Sequence, residues 1–428
     1  MHRVTLTLLL AFTHANSLWA QYCNDTRFTA LETFEISDVE WEYNIPYGLA
    51  DEWFMDMPQP ELNYFDIAYP DPSVDPLEKR PLILLAHGGG FWAGEKEAMA
   101  YHMQLLAQAG YVVVSPNYRK GWFGTPTDCD GDPESLVIAI YRAMQDVQAC
   151  LRYLTANADT YGIDTAHIYA GGESAGVYAV LTSMFTSQVE WDAEFPAFSA
   201  MYGTITGETN NLNVDFSIKG YICMWGGIYD VYDIASADAK PTIAFYGISD
   251  DVIPPFFGNI QYCPDFPYVY GGAGITNFLT TQGICNELHV NPMKGHLAYE
   301  PEYTAPNIAC FVKSIMCETC ATGTYDFREA DCDTLYIEDP VPVADAHVIS
   351  ARVFPNPSAE YVHVLIPADW SGQPEVMLTN ASGAIVTISY KYSENMVILD
   401  VHDLPSGIYY IQLHANLATA SATFVVVE

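Results

Sequence analysis

The chain is 428 residues long, with half of its residues hydrophobic and 14% aromatic. That is too apolar for a disordered chain and longer than one compact domain usually runs. Fifty-three Asp and Glu face sixteen Lys and Arg, a formal charge of -37 with no basic run to offset it. Such a surface repels nucleic acid and anionic membranes and slows anionic substrates, so a nucleic-acid partner is excluded.

The first twenty residues have the layout of a signal peptide. Arg3 supplies positive charge, Leu6 to Phe12 form a short apolar core, and Leu18-Trp19-Ala20 ends in a small residue suited to cleavage. No later stretch is long and apolar enough for a transmembrane segment, which predicts a secreted or surface-attached protein. Ten cysteines, all between Cys23 and Cys332, suit an oxidising compartment and mark one domain rather than the whole chain. Cys317 and Cys320 have the spacing of a zinc or redox pair. No second pair or nearby His completes a ligand set, so disulfides are favoured over metal.

From about Glu61 the chain alternates short apolar runs with helical patterns, the mark of a mostly parallel sheet covered by helices. Strands are expected at Leu82–Leu85, Tyr111–Val114, His167–Ala170, Tyr221–Met224, Thr242–Tyr246 and Glu287–Val290. Helices are expected at Met99–Ala109, ending at Gly110, and at Pro133–Asn157, where Asp132-Pro133-Glu134 supplies an N-cap, a proline and an acidic first turn. Ile308, Phe311, Val312 and Ile315 mark a closing helix. The polar segment Ser187–Ile218 carries Trp191, Phe195, Phe198 and Tyr202, and reads either as an inserted cap or as a passive surface excursion. Beyond Cys332, Asp339-Pro340-Val341-Pro342 is a stiff linker. The alternating runs that follow (Tyr361–Leu365, Glu375–Leu378, Ala384–Ser389, Met396–Val401, Ile408–Leu413 and Ala422–Val427) predict a small all-β sandwich.

Four features of the α/β segment carry chemistry. His87-Gly88-Gly89-Gly90-Phe91-Trp92 follows a strand, and its glycines let backbone N–H groups approach a substrate oxyanion closely. Gly172-Glu173-Ser174-Ala175-Gly176 lies between a strand and a helix, where a sharp turn presents a serine hydroxyl above the sheet. Asp250 stands just past a strand end, as an acid that orients a histidine does; the neighbouring Asp251 reads as a surface turn residue. His296 follows the last strand in Lys294-Gly295-His296, whereas His289 within that strand reads as structural. The order Ser, Asp, His is the order this type of site uses.

Residues from about Asn63 to Met316 resemble an α/β-hydrolase of the esterase/lipase superfamily. The HGGGFW and GESAG stretches, with Asn117-Tyr118-Arg119, are similar to those of its carboxylesterase and hormone-sensitive-lipase-like branches. The resemblance implies Ser174 as nucleophile, Asp250 as acid, His296 as base, and the N–H groups of Gly89, Gly90 and Ala175 as oxyanion hole. It requires neither metal nor organic cofactor. Phe91, Trp92 and Trp122 are candidates for lining the substrate pocket. The expected activity is serine ester hydrolysis through an acyl-enzyme, on small acyl esters or acylated polysaccharide. A serine peptidase and a non-catalytic surface binding protein are the competing readings.

The last residues resemble the C-terminal sorting domain of cargo of the type IX (Por) secretion system, through Val353-Phe354-Pro355-Asn356-Pro357, Asn380-Ala381-Ser382-Gly383 and Leu404-Pro405-Ser406-Gly407-Ile408-Tyr409. That resemblance implies the type IX secretion machinery as a partner. The expected organisation is a signal peptide at 1–20, an α/β-hydrolase domain at 21–335, a linker at 336–350 and a β-sandwich sorting domain at 351–428.

Overall fold

The computed structural model describes residues 22–23, 26–54, 57–124, 129–229 and 239–325. Within the C-terminal region it describes 348–350, 352–354, 358, 360–365, 375–380, 386–393, 396–415 and 418–426. The expected signal peptide, the linker prolines, Pro355-Asn356-Pro357 and Ser382-Gly383 lie outside these residues. The chain divides into two compact units, Met1–Tyr336 and Ile337–Glu428.

In the first unit the strands are β1 (Val39–Phe54), β2 (Met57–Pro70), β3 (Arg80–Ala86), β4 (Val112–Pro116), β5 (Ile163–Glu173), β6 (Ile218–Met224), β7 (Gly227–Ile228), β8 (Thr242–Gly247), β9 (Phe257–Asn259), β10 (Tyr268–Gly271), β11 (Asn286–Asn291) and β12 (Gly323–Tyr325). Nine of them form one sheet in the order β1-β2-β4-β3-β5-β6-β8-β11-β12, and β7-β10-β9 form a small separate sheet. From β4 onward neighbouring strands of the large sheet are parallel. The main helices are α1 (Ala100–Ala109), α2 (Pro133–Ala156), α3 (Ala158–Tyr161), α4 (Ala175–Phe185), α5 (Gln188–Glu194), α6 (Phe198–Tyr202), α7 (Gly272–Thr281) and α8 (Pro301–Met316).

A parallel strand covered on both faces must be apolar at every position, and β3 is buried throughout. Leu82 and Leu84 pack with α2 on one face, while Ile83 and Leu85 pack with α1 and α8 on the other. Asp132 caps α2 as its sequence predicts, accepting the N–H groups of Glu134 and Ser135 at 3.3 and 3.1 Å.

The antiparallel hairpin β1–β2 departs from the expected α/β pattern. It extends the sheet through β2–β4 pairing, Phe65 opposite Pro116 and Ala68 opposite Val113. Its sequence is broken by Pro46, Asp51-Glu52 and Pro58-Gln59-Pro60, which read locally as turn material. Long-range pairing overrides that local preference.

The segment 187–217 is tied down on α2. Trp191, Phe198 and Tyr141 share ring contacts, Gln145 donates to the Tyr202 carbonyl at 2.7 Å, and Arg152 donates to that of Glu208 at 3.0 Å. Cys317 and Cys320 do not pair with each other. Disulfides join Cys23 to Cys317, Cys129 to Cys263 and Cys285 to Cys320, and Cys310 is also disulfide-bonded. Cys150 and Cys223 are buried thiols.

The second unit has two four-stranded sheets. One takes the order β13 (Val348–Ser350), β20 (Ala418–Val426), β19 (Gly407–Ala415), β16 (Glu375–Asn380). The other runs β14 (Arg352–Phe354), β15 (Tyr361–Leu365), β18 (Met396–Asp400), β17 (Ser389–Ser393). The strand expected at Ala384–Ser389 therefore begins at Ser389. Alternate residues of both sheets share one buried cluster: Val362, Val364, Val397 and Leu399 meet Ile411, Leu413 and Phe424. In the Leu404–Tyr409 turn, the Tyr409 hydroxyl donates back to the Pro405 carbonyl at 2.8 Å and its ring stacks on Phe424.

Candidate active site

The carboxyl ends of β3, β5, β8 and β11 lead into the four loops that carry the sequence-singled residues. Parallel sheets gather functional groups at that edge because the strands all end there. Ser174 sits between β5 and α4 at φ 49 and ψ -119, a conformation that bulky side chains avoid. Its N–H is held by the Met224 carbonyl at 2.9 Å, which fixes the turn against β6. Gly176 is what lets the turn close: a Cβ there would lie 2.2 Å from the Ala86 carbonyl oxygen.

The Ser174 Oγ lies 2.9 Å from His296 Nε2. His296 Nδ1 lies 2.9 Å and 3.1 Å from the two carboxylate oxygens of Asp250. Asp250 is buried and also accepts the N–H groups of Val252 and Ile253, both at 2.9 Å. Asp251 is exposed. His289 is buried against Phe245 and Tyr303.

The glycine loop follows β3. Gly89 has φ 120, and a Cβ on it would meet the Ala93 carbonyl at 2.2 Å. A Cβ on Gly88 would touch the Ser174 Cβ at 3.3 Å, so the loop runs directly beside the serine. Ala175 opens α4, where first-turn N–H groups have no intrahelical acceptor. Phe91 is buried, its ring 5.9 Å from that of Tyr118. Trp92 and Trp122 flank Gly90, Trp92 half exposed and Trp122 buried against Phe266.

The strand-end residues Asn117-Tyr118-Arg119 hold that loop in place. Tyr118 donates to the His87 carbonyl at 2.7 Å and stacks on the His87 ring. Lys120 donates to the Gly94 carbonyl at 2.7 Å, and the N–H groups of Gly121 and Trp122 bond the Phe91 carbonyl. Arg119 is itself anchored by the buried Asp146. Burial pushes the His87 imidazole down to about 4, so it stays neutral, and its Nδ1 lies 2.7 Å from the Gly88 carbonyl.

Glu173 precedes the serine, and burial raises its carboxyl above the ordinary range, partly offset by the Gly88 N–H and by His296. Tyr262 is a site neighbour that the sequence does not announce: its hydroxyl donates to the Asp250 carbonyl at 3.1 Å. It lies next to Cys263, whose distant partner, Cys129, no spacing rule identifies.

Residues 65–249 match the family model BD-FAE. The chain carries a BD-FAE domain. Residues 352–427 match the secretion system C-terminal sorting domain, so an esterase-like α/β-hydrolase unit is followed by a tail for type IX secretion to the cell surface or beyond. No helix among the described residues is long and apolar enough to cross a membrane.

Among curated relatives, the chain is 28% identical to acetylcholinesterase 1 of Caenorhabditis briggsae over 29% of its own length and 19% of the relative's. It is 30% identical to the neuroligin-like protein glit-1 of Caenorhabditis elegans over 30% and 17%. Esterase B1 of Culex pipiens is 29% identical over 25% and 19%. The chain thus spans less than a fifth of the length of these relatives. Similar solved structures include esterase B of Lactobacillus rhamnosis (TM-score 0.41, 17% identity, 73% of this chain and 96% of that one). A truncated carbohydrate esterase from gut microbiota has TM-score 0.45 and 17% identity over 67% and 98%.

Proposed function

We propose that the BD-FAE domain is a serine ester hydrolase that works through an acyl-enzyme on Ser174. The observation that carries the reading is the continuous hydrogen-bonded chain from Ser174 Oγ through His296 to the buried Asp250. His296 Nε2 takes the Ser174 proton as Oγ attacks the ester carbonyl, and Asp250 holds Nδ1–H and steadies the imidazolium that forms. The N–H groups of Gly89, Gly90 and Ala175 receive the negative charge on the carbonyl oxygen. His296 then gives its proton to the departing alcohol. Water then attacks the acyl carbon as His296 takes its proton, and His296 returns that proton to Ser174 Oγ as the acid leaves.

Trp92 and Trp122 beside Gly90 supply apolar surface for the acyl or alcohol part of the ester. Carboxylic esters of small or medium acyl groups, free or carried on polysaccharide, are the proposed substrate class. The test is hydrolysis of p-nitrophenyl esters from acetyl to palmitoyl by the mature protein and by Ser174→Ala. Turnover abolished by that change supports the mechanism. Equal turnover in the variant overturns the Ser174 mechanism, and none in either protein overturns simple esterase activity. The second outcome would favour a non-catalytic binding role.

A further inference from the structure

A cavity of about 390 Å³ opens between β1, β2 and the start of α1. None of its lining residues belongs to the Ser174–His296–Asp250 chain. Aromatic rings line it: the Trp41 and Tyr43 rings lie 5.7 Å apart with 7° between their planes, and Tyr101 is a third lining ring. Tyr43 is 61% exposed and Tyr101 43%.

The backbone is built to present this pair. Strand pairing slips between Glu42 and Ile45, and Asn44 adopts φ 57 inside the bulge. Bulges of this kind re-aim side chains and recur beside sites. The Asn44 N–H bonds the Asp66 carboxylate at 2.8 Å, so a buried acid on β2 holds the bulge. The same Asp66 lies 3.3 Å from the buried Lys96 ammonium, which also bonds Glu97. The lining therefore includes a fixed set of charged donors and acceptors, joined by the Gln104 amide.

We propose that this cavity binds a neutral glycan chain. A pyranose ring has one apolar C–H face and a rim of hydroxyls, which suits a lining of aromatic rings and polar, hydrogen-bonding side chains. A phosphate or polyanion is disfavoured by Asp66, Glu97 and the net charge of -37. A lipid surface does not suit a lining that includes the buried charges of Asp66 and Lys96. The site would hold the enzyme on a polysaccharide independently of the ester being cleaved.

The experiment is affinity electrophoresis of the full mature chain through gels containing soluble arabinoxylan, galactomannan or mixed-linkage β-glucan. At least one polymer is expected to retard the wild-type protein. Tyr43→Ala and Tyr101→Ala should each weaken retardation about fivefold or more, while Tyr43→Phe, which keeps the ring, retains it. Hydrolysis of p-nitrophenyl acetate by these variants should match wild type. No retardation by any of the three polymers, or equal retardation of wild type and both alanine variants, overturns the proposal. Binding is read without turnover, so failure of the esterase reading leaves a distinguishable result.

Discussion

Tyr262 donates its hydroxyl hydrogen to the backbone carbonyl of Asp250 at 3.1 Å, from a residue held in the left-handed region at φ 55. The next residue, Cys263, is bonded to Cys129, and Phe266 packs edge-on against Trp122 at 5.6 Å. The loop bearing the acid and the wall behind Gly90 are thus joined by one cross-link and one ring contact. Losing the cross-link in Cys129→Ser/Cys263→Ser should lower kcat/KM on p-nitrophenyl esters about tenfold. Tyr262→Phe should cost only a few-fold, the value of one hydrogen bond of about 1 kcal/mol. Unchanged kcat/KM in the double variant would mean that the Val252 and Ile253 N–H groups hold Asp250 unaided.

The proposed relay also predicts a graded pattern among its members. Ser174→Ala and His296→Ala should each lower kcat by roughly a million-fold, and the double variant should be scarcely worse, because the residues act as a unit. Asp250→Asn should lower kcat about 10⁴-fold, through the wrong imidazole tautomer. Asp251→Asn should stay within about twofold, since this side chain faces solvent. Steady-state kinetics on one short-chain ester checks all five variants.

Gly176 separates the start of α4 from the end of β3. Gly176→Ala would put a methyl group 2.2 Å from the Ala86 carbonyl oxygen and 2.6 Å from that of His87. The helix and the glycine loop must then part, which should cost about 1–3 kcal/mol of stability and misplace the proposed oxyanion donors. Thermal melting and kcat measured together should both fall. A variant with wild-type activity would show that the turn has slack.

Acid should destabilise the hydrolase unit through its buried histidines. Burial holds His102, beside the Thr304 hydroxyl at 2.7 Å, down at about 4 instead of 6.5, and His87 likewise. In the unfolded chain both charge as pH falls through 6.5, while the folded protein keeps them neutral to about 4. Stability is therefore full above 6.5, declines between 6.5 and 4, and loses nothing further from these groups below 4. Each contributes at most roughly 3 kcal/mol to that decline. Melting temperatures between pH 7 and 4 should show a shallower acid slope in His102→Gln; an unchanged slope would remove His102 from the account.

Several features could be read from residue order because they depend on local rules. Strands such as Leu82–Leu85 are short continuous apolar runs, the α2 helix carries its own N-cap at Asp132, and alternating runs mark the second unit. The candidate site residues were legible for a related reason. A sharp strand-to-helix turn needs small residues around Ser174, and a close-approaching loop needs glycines at 89 and 90. Both constraints leave their mark on neighbouring positions.

The remaining relationships span chain separations that no local rule connects. The β1–β2 hairpin contains prolines and acids that read as turns, and only pairing with β4 makes it sheet. The segment 187–217 had the composition of either a cap or an excursion, and its aromatics were assigned to α2 by tertiary packing with Tyr141. Cys129 lies 134 residues before Cys263, and ten cysteines by themselves favour no pairing. Residue order alone marks Ser174, Asp250 and His296 as candidates for the chemistry and sets the order in which they come. The tertiary structure alone decided how their loops are held together and where the Trp41–Tyr43 face is presented, because those contacts exist only after distant segments have folded against one another.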